Sequence, residues 1–495
     1  MPASTRLARA SRSMAHAYRN KKQALQQVEE TDVESARARS IVALAMRAAE
    51  MMLSSGATAN RTTRLVLSIC RNYGLPAQVD ITYTRIMVSY EPSVASDPIT
   101  VMRMVAPGGI DYDRLTRVEN LISRMGPDEL ALDVIADRLR HIRHDPGSYR
   151  LWVLHACAAL MGGGVAMLLG GNQADVLLAM LTTFGVEAVR NAMTQRGLNT
   201  FFTQAAAASV AALVGLAVMT GRANLPETLQ QASPGLVVAA GMVPLLAGLG
   251  IVTTAGDAID AYYMSAGSRL VEVVVLTSGI VLGLLATLSL GLWLGVPSYL
   301  APIGGFTAGS ATQLVSAGLI SAAFGVLCNM GPRSTLAAMG IGLVAQLAYM
   351  TSVVATTSTP ARSTLAALVI GALARLLTTP LRIPMVALIS TGVAPLMPGL
   401  LLYRGIFAMV SEMPGGGAIP DPANSAQVLL LKCLMTGAGL AIGTSFGASL
   451  ANTVLRYVTK GTVSRPIRAN GDGSAVRRRR TSQHGVSGRS AMRSS

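Results

Sequence analysis

Charge is scarce in this chain. Asp, Glu, Lys and Arg make up 13% of its 495 residues, about half the roughly 25% share of a typical soluble domain. The shortage is local. Residues 1–150 are rich in Arg, Asp and Glu, whereas from Leu151 to Tyr457 Gly, Ala, Leu and Val dominate. That pattern excludes a soluble protein with one very large core, because such cores do not read as repeated apolar stretches of about 20 residues separated by short polar turns. Cysteine is scarce too. Cys70, Cys157, Cys328 and Cys433 stand far apart with no CxxC spacing, so neither disulfides nor a metal site is expected. The first 25 residues lack an apolar h-region, and no cleaved signal peptide is expected. Residues 34–145 lack a Gly-rich phosphate loop and any catalytic cluster. His141 and His144, beside Asp145, have a spacing that could bind metal and read otherwise as surface histidines.

What is present falls into two parts. Residues 34–54 place apolar side chains at helical spacing among Arg and Glu, an amphipathic helix stopped by Gly56. A second helix runs to Gly74. Val79, Ile81 and Tyr83 then alternate on one face and Ile86, Val88 and Tyr90 in the opposite phase, which predicts two strands with a bulge or tight turn at Thr84–Arg85. Two further helices fit 111–125 and 128–142. The expectation is a small α+β domain over 34–145, preceded by a disordered basic segment over 1–33.

The apolar block divides into ten stretches, 151–171, 174–192, 200–220, 234–256, 268–294, 302–328, 334–354, 361–379, 383–411 and 427–456. Each is long enough, or nearly so, to cross roughly 30 Å of hydrocarbon. Arg190, Arg196, Arg269, Arg333, Arg375 and Arg382 fall in connections on one side, and Arg222, Arg362 and Arg404 on the other. The positive-inside rule then puts the N-terminal domain and both termini in the cytoplasm. From Arg456 to the end there are ten Arg or Lys and one acid, Asp472. Residues 458–495 are expected to be a disordered cytoplasmic tail that touches anionic lipid rather than nucleic acid.

Residues 241–249, GMVPLLAGL, and 392–400, GVAPLMPGL, match at five of nine positions, 151 residues apart. Proline in a helix interior costs roughly 3 kcal/mol. The two segments lie in the fourth and ninth stretches, so the halves hold five spans each (151–296 and 302–457). An odd number turns one half upside down, the inverted-repeat logic of secondary transporters with discontinuous helices at matching positions. Freed backbone groups are tolerated in a membrane only where they line a cavity or are buried in protein. Packed helices with simple kinks are the alternative. Ala247 stands where the second segment has Pro398, which predicts a milder first break.

Ionisable residues in spans default to functional candidates. Asp257 and Asp260 share a helix face after the first broken segment, with Thr253 and Thr254 before them and Arg269 and Glu272 on the next span. Asp257 either carries a proton or pairs with a nearby Arg. Asp175, beside Asn172, opens the second span and also reads as an N-cap. Glu187 and Arg190 read as a structural ion pair. Half-helix N-termini suit the carboxylate of a zwitterionic amino acid, freed carbonyls or Asp257 suit its ammonium, and Thr253, Thr254, Ser390 and Thr391 could bond a hydroxyl side chain. Pro244, Gly248, Pro395, Pro398 and Gly399 form the breaks themselves.

Several stretches carry a resemblance: LSSGATANRTTRLVLSICRNYGL with VDITYTRIMVSY; HDPGSYRLWVLHACAALMGGGVAMLLGGNQADVLLAM; MVPLLAGLGIVTTAGDAIDAYYMSAGSRL; and APLMPGLLLYRG. Over roughly residues 40–455 the chain resembles the bacterial threonine/serine exporter family. The resemblance implies a multi-pass plasma-membrane protein with a cytoplasmic domain and two halves of about five spans. It implies export of threonine and serine against inward proton flow, without a cofactor. By motif it points to Gly171, Asn172, Asp175, Pro244, Gly248, Asp257, Arg269, Pro395, Pro398 and Gly399. The expected partners are a small zwitterionic amino acid and protons, and a homo-oligomer is compatible with the plan. An exporter of another small polar metabolite is one alternative, and two rival classes remain. A passive channel would not need a coupled carboxylate. A hydrolase could use Ser445 in GTSFG, but that motif needs a strand–turn–helix setting, and close helix packing explains small residues at this spacing better.

Overall fold

The computed structural model describes residues 36–91, 98–106, 108–124, 132–145, 147–221, 226–246, 248–294, 309–411 and 425–463. The expected segment 1–33 and the tail beyond Val463 lie outside them. The chain forms two units, one ending at Asn452 and one starting at Thr453; the packing below lies within the first.

Helix α1 covers 36–54 and buries Ile41, Met46 and Met52, while Arg37 and Arg39 are exposed and Arg47 and Glu50 half-buried. Helix α2, Ala59–Asn72, starts where the Thr58 side chain accepts from the Arg61 N–H. Gly56 and Gly74 follow the two helices at φ +93° and +74°, the left-handed backbone that glycine adopts at no steric cost. Strands β1 (Ala77–Ile81), β2 (Arg85–Tyr90) and β3 (Ile99–Met104) form an antiparallel sheet in that order, with Val79 opposite Val88 and Met87 opposite Met102. The third strand is absent from the sequence reading. Its ITVMRM segment leaves Met102 and Met104 exposed, so its apolar residues do not mark one face. Helices α3 (Tyr112–Ser123, capped by Asp111) and α4 (Leu132–His144) complete the domain.

The apolar block forms α5 (Leu151–Leu168), α6 (Gln173–Gln195), α7 (Thr200–Thr220), the short α8 (Glu227–Gln230), α9 (Pro234–Met242), α10 (Gly248–Ile259) and α11 (Tyr263–Trp293). The second half forms α12 (Ser310–Leu327), α13 (Pro332–Thr351), α14 (Thr359–Leu381), α15 (Met385–Val393), α16 (Gly399–Ser411) and α17 (Ala426–Val463). Among the described residues eight helices are long and apolar enough to cross a membrane, and the bent pairs α9/α10 and α15/α16 make ten if each is one span. Two expected boundaries move: α11 begins at Tyr263 rather than 268, and α17 runs past 458 into the expected tail.

Six elements of the first half have counterparts at fixed spacings in the second. Helices α5, α6 and α7 start at 151, 173 and 200, and α12, α13 and α14 start 159 residues later, at 310, 332 and 359. Helix α9, its following 3-10 turn and α10 start at 234, 243 and 248; α15, its turn and α16 start 151 residues later, at 385, 394 and 399. Small residues bring helices together within this frame. A Cβ on Gly443 or Gly447 would overlap the Thr364 or Leu368 carbonyl oxygen of α14, and one on Gly371 would overlap that of Thr444. The GTSFG motif therefore lies inside one continuous helix, at a packing seam.

The core of the N-terminal domain is not separate from the membrane helices. Ile86, Val88, Tyr112, Leu115 and Leu139 belong to the same buried cluster as Cys328, Ile341, Ile370, Ile383 and Leu388.

Candidate functional site

Pro244 and Pro395 sit in the 3-10 turns Val243–Leu245 and Ala394–Leu396, where each helix stops before a new one starts. A proline supplies no N–H and clashes with the carbonyl four residues back, so the i→i−4 ladder ends there. The bends are 45° and 49°, so the second segment's extra proline, Pro398, does not make the first break markedly milder. Ala247 lies outside the described residues. The breaks face each other. A Cβ on Gly248 would lie 3.2 Å from Met397, and one on Gly399 would lie 3.3 Å from Leu246. Both the glycines and their two contacts are 151 residues apart, so the contact is reciprocal.

Side chains from other helices meet the loosened carbonyls. Gln204 of α7 donates to the Leu245 oxygen at 3.2 Å, and the Cys433 thiol of α17 lies 3.6 Å from the Pro398 oxygen. Gln204 is buried. Gln204→Leu should cost about 1–3 kcal/mol, the penalty for an orphaned buried carbonyl, read as a lower thermal midpoint in detergent.

Asp257 lies at the end of α10 with 1% exposure. Arg269 Nε, on the first turns of α11, is 3.0 Å from Asp257 Oδ2. The alignment misses hydrogen-bond geometry for both carboxylate oxygens and for Nε, so this is an ion contact rather than a charged hydrogen bond. The Arg269 guanidinium lies 4.7 Å above the Tyr83 ring, a cation–π stack. Tyr83 donates to Glu272 Oε2 at 2.7 Å, and Asn60 donates to Asp260 Oδ2 at 2.6 Å. Burial first, then the Glu272 hydrogen bond and charge, push the Tyr83 phenol up to about 12 against the pull of Arg269. Tyr83 therefore stays a neutral donor at any physiological pH.

The other expected residues separate into groups. Ser390 accepts the Tyr112 hydroxyl hydrogen at 2.7 Å. Thr253 and Thr391 bond back to their own helices, to the Gly250 and Ala387 carbonyls, while the buried Thr254 hydroxyl has no partner. Asn172 and Asp175 form a capping box at the start of α6, and Asp175 also accepts the Ser233 N–H at 2.7 Å just before α9. These two lie at the opposite ends of their spans from Asp257. Asp175→Ala should lower stability by about 1–2 kcal/mol through the lost cap, read by thermal unfolding. Arg190 Nε donates to Glu187 Oε2 at 2.9 Å within α6, and Glu272 pairs with Tyr83 instead of Arg269. Both histidines of α4 use Nδ1 on main-chain carbonyls, His141 with Asp137 and His144 with Arg140.

Several residues escaped the sequence reading, among them Asn60, Tyr83 and Tyr112 of the N-terminal domain. Gln204 carried no signal, being one amide among alanines. Arg404 was assigned to an outer connection, yet it lies half-buried in the second turn of α16, inside the broken span. A cavity of about 440 Å³ in the N-terminal domain is lined by Arg47, Arg103, Arg140, Arg143 and His144. Three of its guanidiniums already meet carboxylates: Arg103 and Arg143 share Glu50, and Arg140 meets Asp137.

A family model for threonine/serine exporters matches residues 43–291, and a second, "Threonine/Serine exporter, ThrE", matches residues 313–450. The chain is similar to a Mycobacterium tuberculosis protein named "Probable threonine/serine exporter", at 29% identity over 433 residues, covering 85% of this chain and 78% of the relative. It is also similar to the Corynebacterium glutamicum "Threonine/serine exporter", at 28% identity over 425 residues, covering 84% and 83%. No solved structure matches. The family matches cover both the domain with the Asp257 surroundings and the second half with its break, and the chain belongs to the threonine/serine exporter family of multi-pass membrane proteins.

Proposed function

We propose that the chain is a secondary active transporter that exports small zwitterionic amino acids, threonine and serine, against inward proton flow, by alternating access around the two breaks. The observation that carries this reading is the reciprocal contact of Gly248 with Met397 and Gly399 with Leu246, since an exchange of partners between equivalent residues is what a two-fold relation produces. Chain direction supports an inverted relation. Asp260, after α10, and Ser390, within α15, both touch the N-terminal domain. The first broken span therefore runs toward that side and the second runs away from it, giving two inverted repeats of five spans.

The N-termini of α10 and α16 open at the breaks and suit the substrate carboxylate, with Arg404 as a nearby positive charge. Asp257 suits the ammonium group or a proton, and Ser390, Thr391, Thr253 and Thr254 suit a hydroxyl side chain. Arg190, Arg196, Arg269, Arg333 and Arg382 lie at span ends on the domain's side, which supports a cytoplasmic domain and cytoplasmic termini in the bacterial plasma membrane. The test is labelled threonine in proteoliposomes with and without an imposed pH gradient. Movement that the gradient accelerates supports the reading. Threonine that neither moves nor competes removes the substrate assignment, and a rate indifferent to the gradient removes the coupling.

A further inference from the structure

The N-terminal domain grips both halves of the membrane block. On the first half, Asn60 donates to Asp260 and Tyr83 donates to Glu272 beneath the Arg269 guanidinium. Ser265, at the start of α11, points its hydroxyl at the Ile81 carbonyl at 3.5 Å. On the second half, the Tyr112 hydroxyl reaches Ser390, five residues before Pro395, and the Tyr112 N–H donates to the Cys328 carbonyl at 2.9 Å. Tyr149, in the connection to α5, donates to the Met330 carbonyl at 2.7 Å. Cys328 itself is 3% exposed under this seam.

We propose that Tyr112, Tyr83 and Asn60 are positioning residues of transport: they latch residues 36–145 over the broken spans as a gate that must release once in each export cycle. The proposal rests on the export reading for what passes through, but the seam itself can be tested without it. Three features argue for a latch rather than a fixed joint. Beside the apolar packing of the shared core, the polar part of the grip is made of single contacts on the two halves, each worth little alone. Among the gripped residues, Asp260, Ser265, Glu272 and Ser390 belong to or adjoin α10, α11 and α15, the elements that would shift in alternating access, while Cys328 and Met330 lie between α12 and α13. Finally, the Asp257–Arg269 contact is part of the grip through Tyr83, so a change of charge at Asp257 acts directly on the domain.

Asn60 and Asp260 meet near the surface, and this allows a direct test in the full chain. Asn60→Cys and Asp260→Cys are joined by a short cleavable bismaleimide, and threonine export is measured before linking, after linking and after cleavage. Alkylation of native Cys328, resolved by peptide mass spectrometry, reports opening of the seam. Linking should reduce export at least tenfold, cleavage should restore it, and linking should slow Cys328 alkylation. Tyr112→Phe, which loses only the hydroxyl to Ser390, should speed Cys328 alkylation roughly fivefold, the population shift expected for one lost hydrogen bond. Undiminished export by the linked protein overturns the gate while leaving the exporter reading intact. Should threonine fail to move in the unsubstituted protein, the exporter reading falls; there, or where only the double variant is silent before linking, the gate is judged on Cys328 alone: equal alkylation of linked and unlinked protein overturns it.

Discussion

Arg269→Ala should destabilise the folded protein by about 3–5 kcal/mol, the cost of leaving a buried charge uncompensated. The Asp257 side chain is 1% exposed and that of Arg269 16% exposed, so no solvent shell replaces the lost guanidinium. Arg269→Ala also removes the cation stacked on Tyr83 and so loosens the domain seam. The paired variant Asp257→Asn/Arg269→Gln should recover most of the stability, because a buried ion pair exchanged for neutral groups of similar shape is often close to neutral. Thermal unfolding in detergent, compared across the two single variants and the double, gives the coupling. A value near zero would show that the two charges do not sense one another. Asp257→Asn alone keeps the volume and removes the charge, and it should make threonine export indifferent to an imposed pH gradient. The contact lacks hydrogen-bond alignment on both sides, so the intact pair adds little net stability over a neutral pair of the same shape.

Gly447→Val should abolish recovery of folded protein. A side chain there would overlap the Leu368 carbonyl oxygen, and the obstacle is backbone, which no rotamer change can move. Helices α14 and α17 would have to separate along the whole stripe of Gly439, Gly443 and Gly447. In a membrane that loss is not offset by any hydrophobic drive, because lipid tails are as apolar as the helices. Gly340→Ala is the control. A Cβ at Gly340 meets nothing within 4 Å, so the change should be neutral or stabilising by up to about 1 kcal/mol through helix propensity. Size-exclusion profiles of the two variants decide the matter; a normal monodisperse peak for Gly447→Val would show that the helices are not held at this distance.

The elements themselves were legible because each rests on a local rule. Apolar runs of span length became helices α5 to α7 and α9 to α17. Gly56 and Gly74 ended helices because they take left-handed backbone. The paired GMVPLLAGL and GVAPLMPGL segments placed both breaks and their spacing, since proline cannot continue the hydrogen-bond ladder wherever it falls. The hairpin of β1 and β2 followed from its phase switch, but β3 did not, because its apolar residues lie on both faces. Asp257 and Arg269 were visible as costly charges, whereas their pairing was one of two open alternatives.

The sequence alone determined composition-driven and nearest-neighbour features: which segments are apolar enough for a membrane, where helices must stop, and that the chain contains a repeat. Folding decided what lies against what. Gly248 meeting Met397, Gln204 reaching the Leu245 carbonyl and Tyr112 reaching Ser390 join residues 41 to 278 positions apart. Such contacts depend on how whole helices pack, and side-chain packing sums over many distant neighbours that no local pattern encodes.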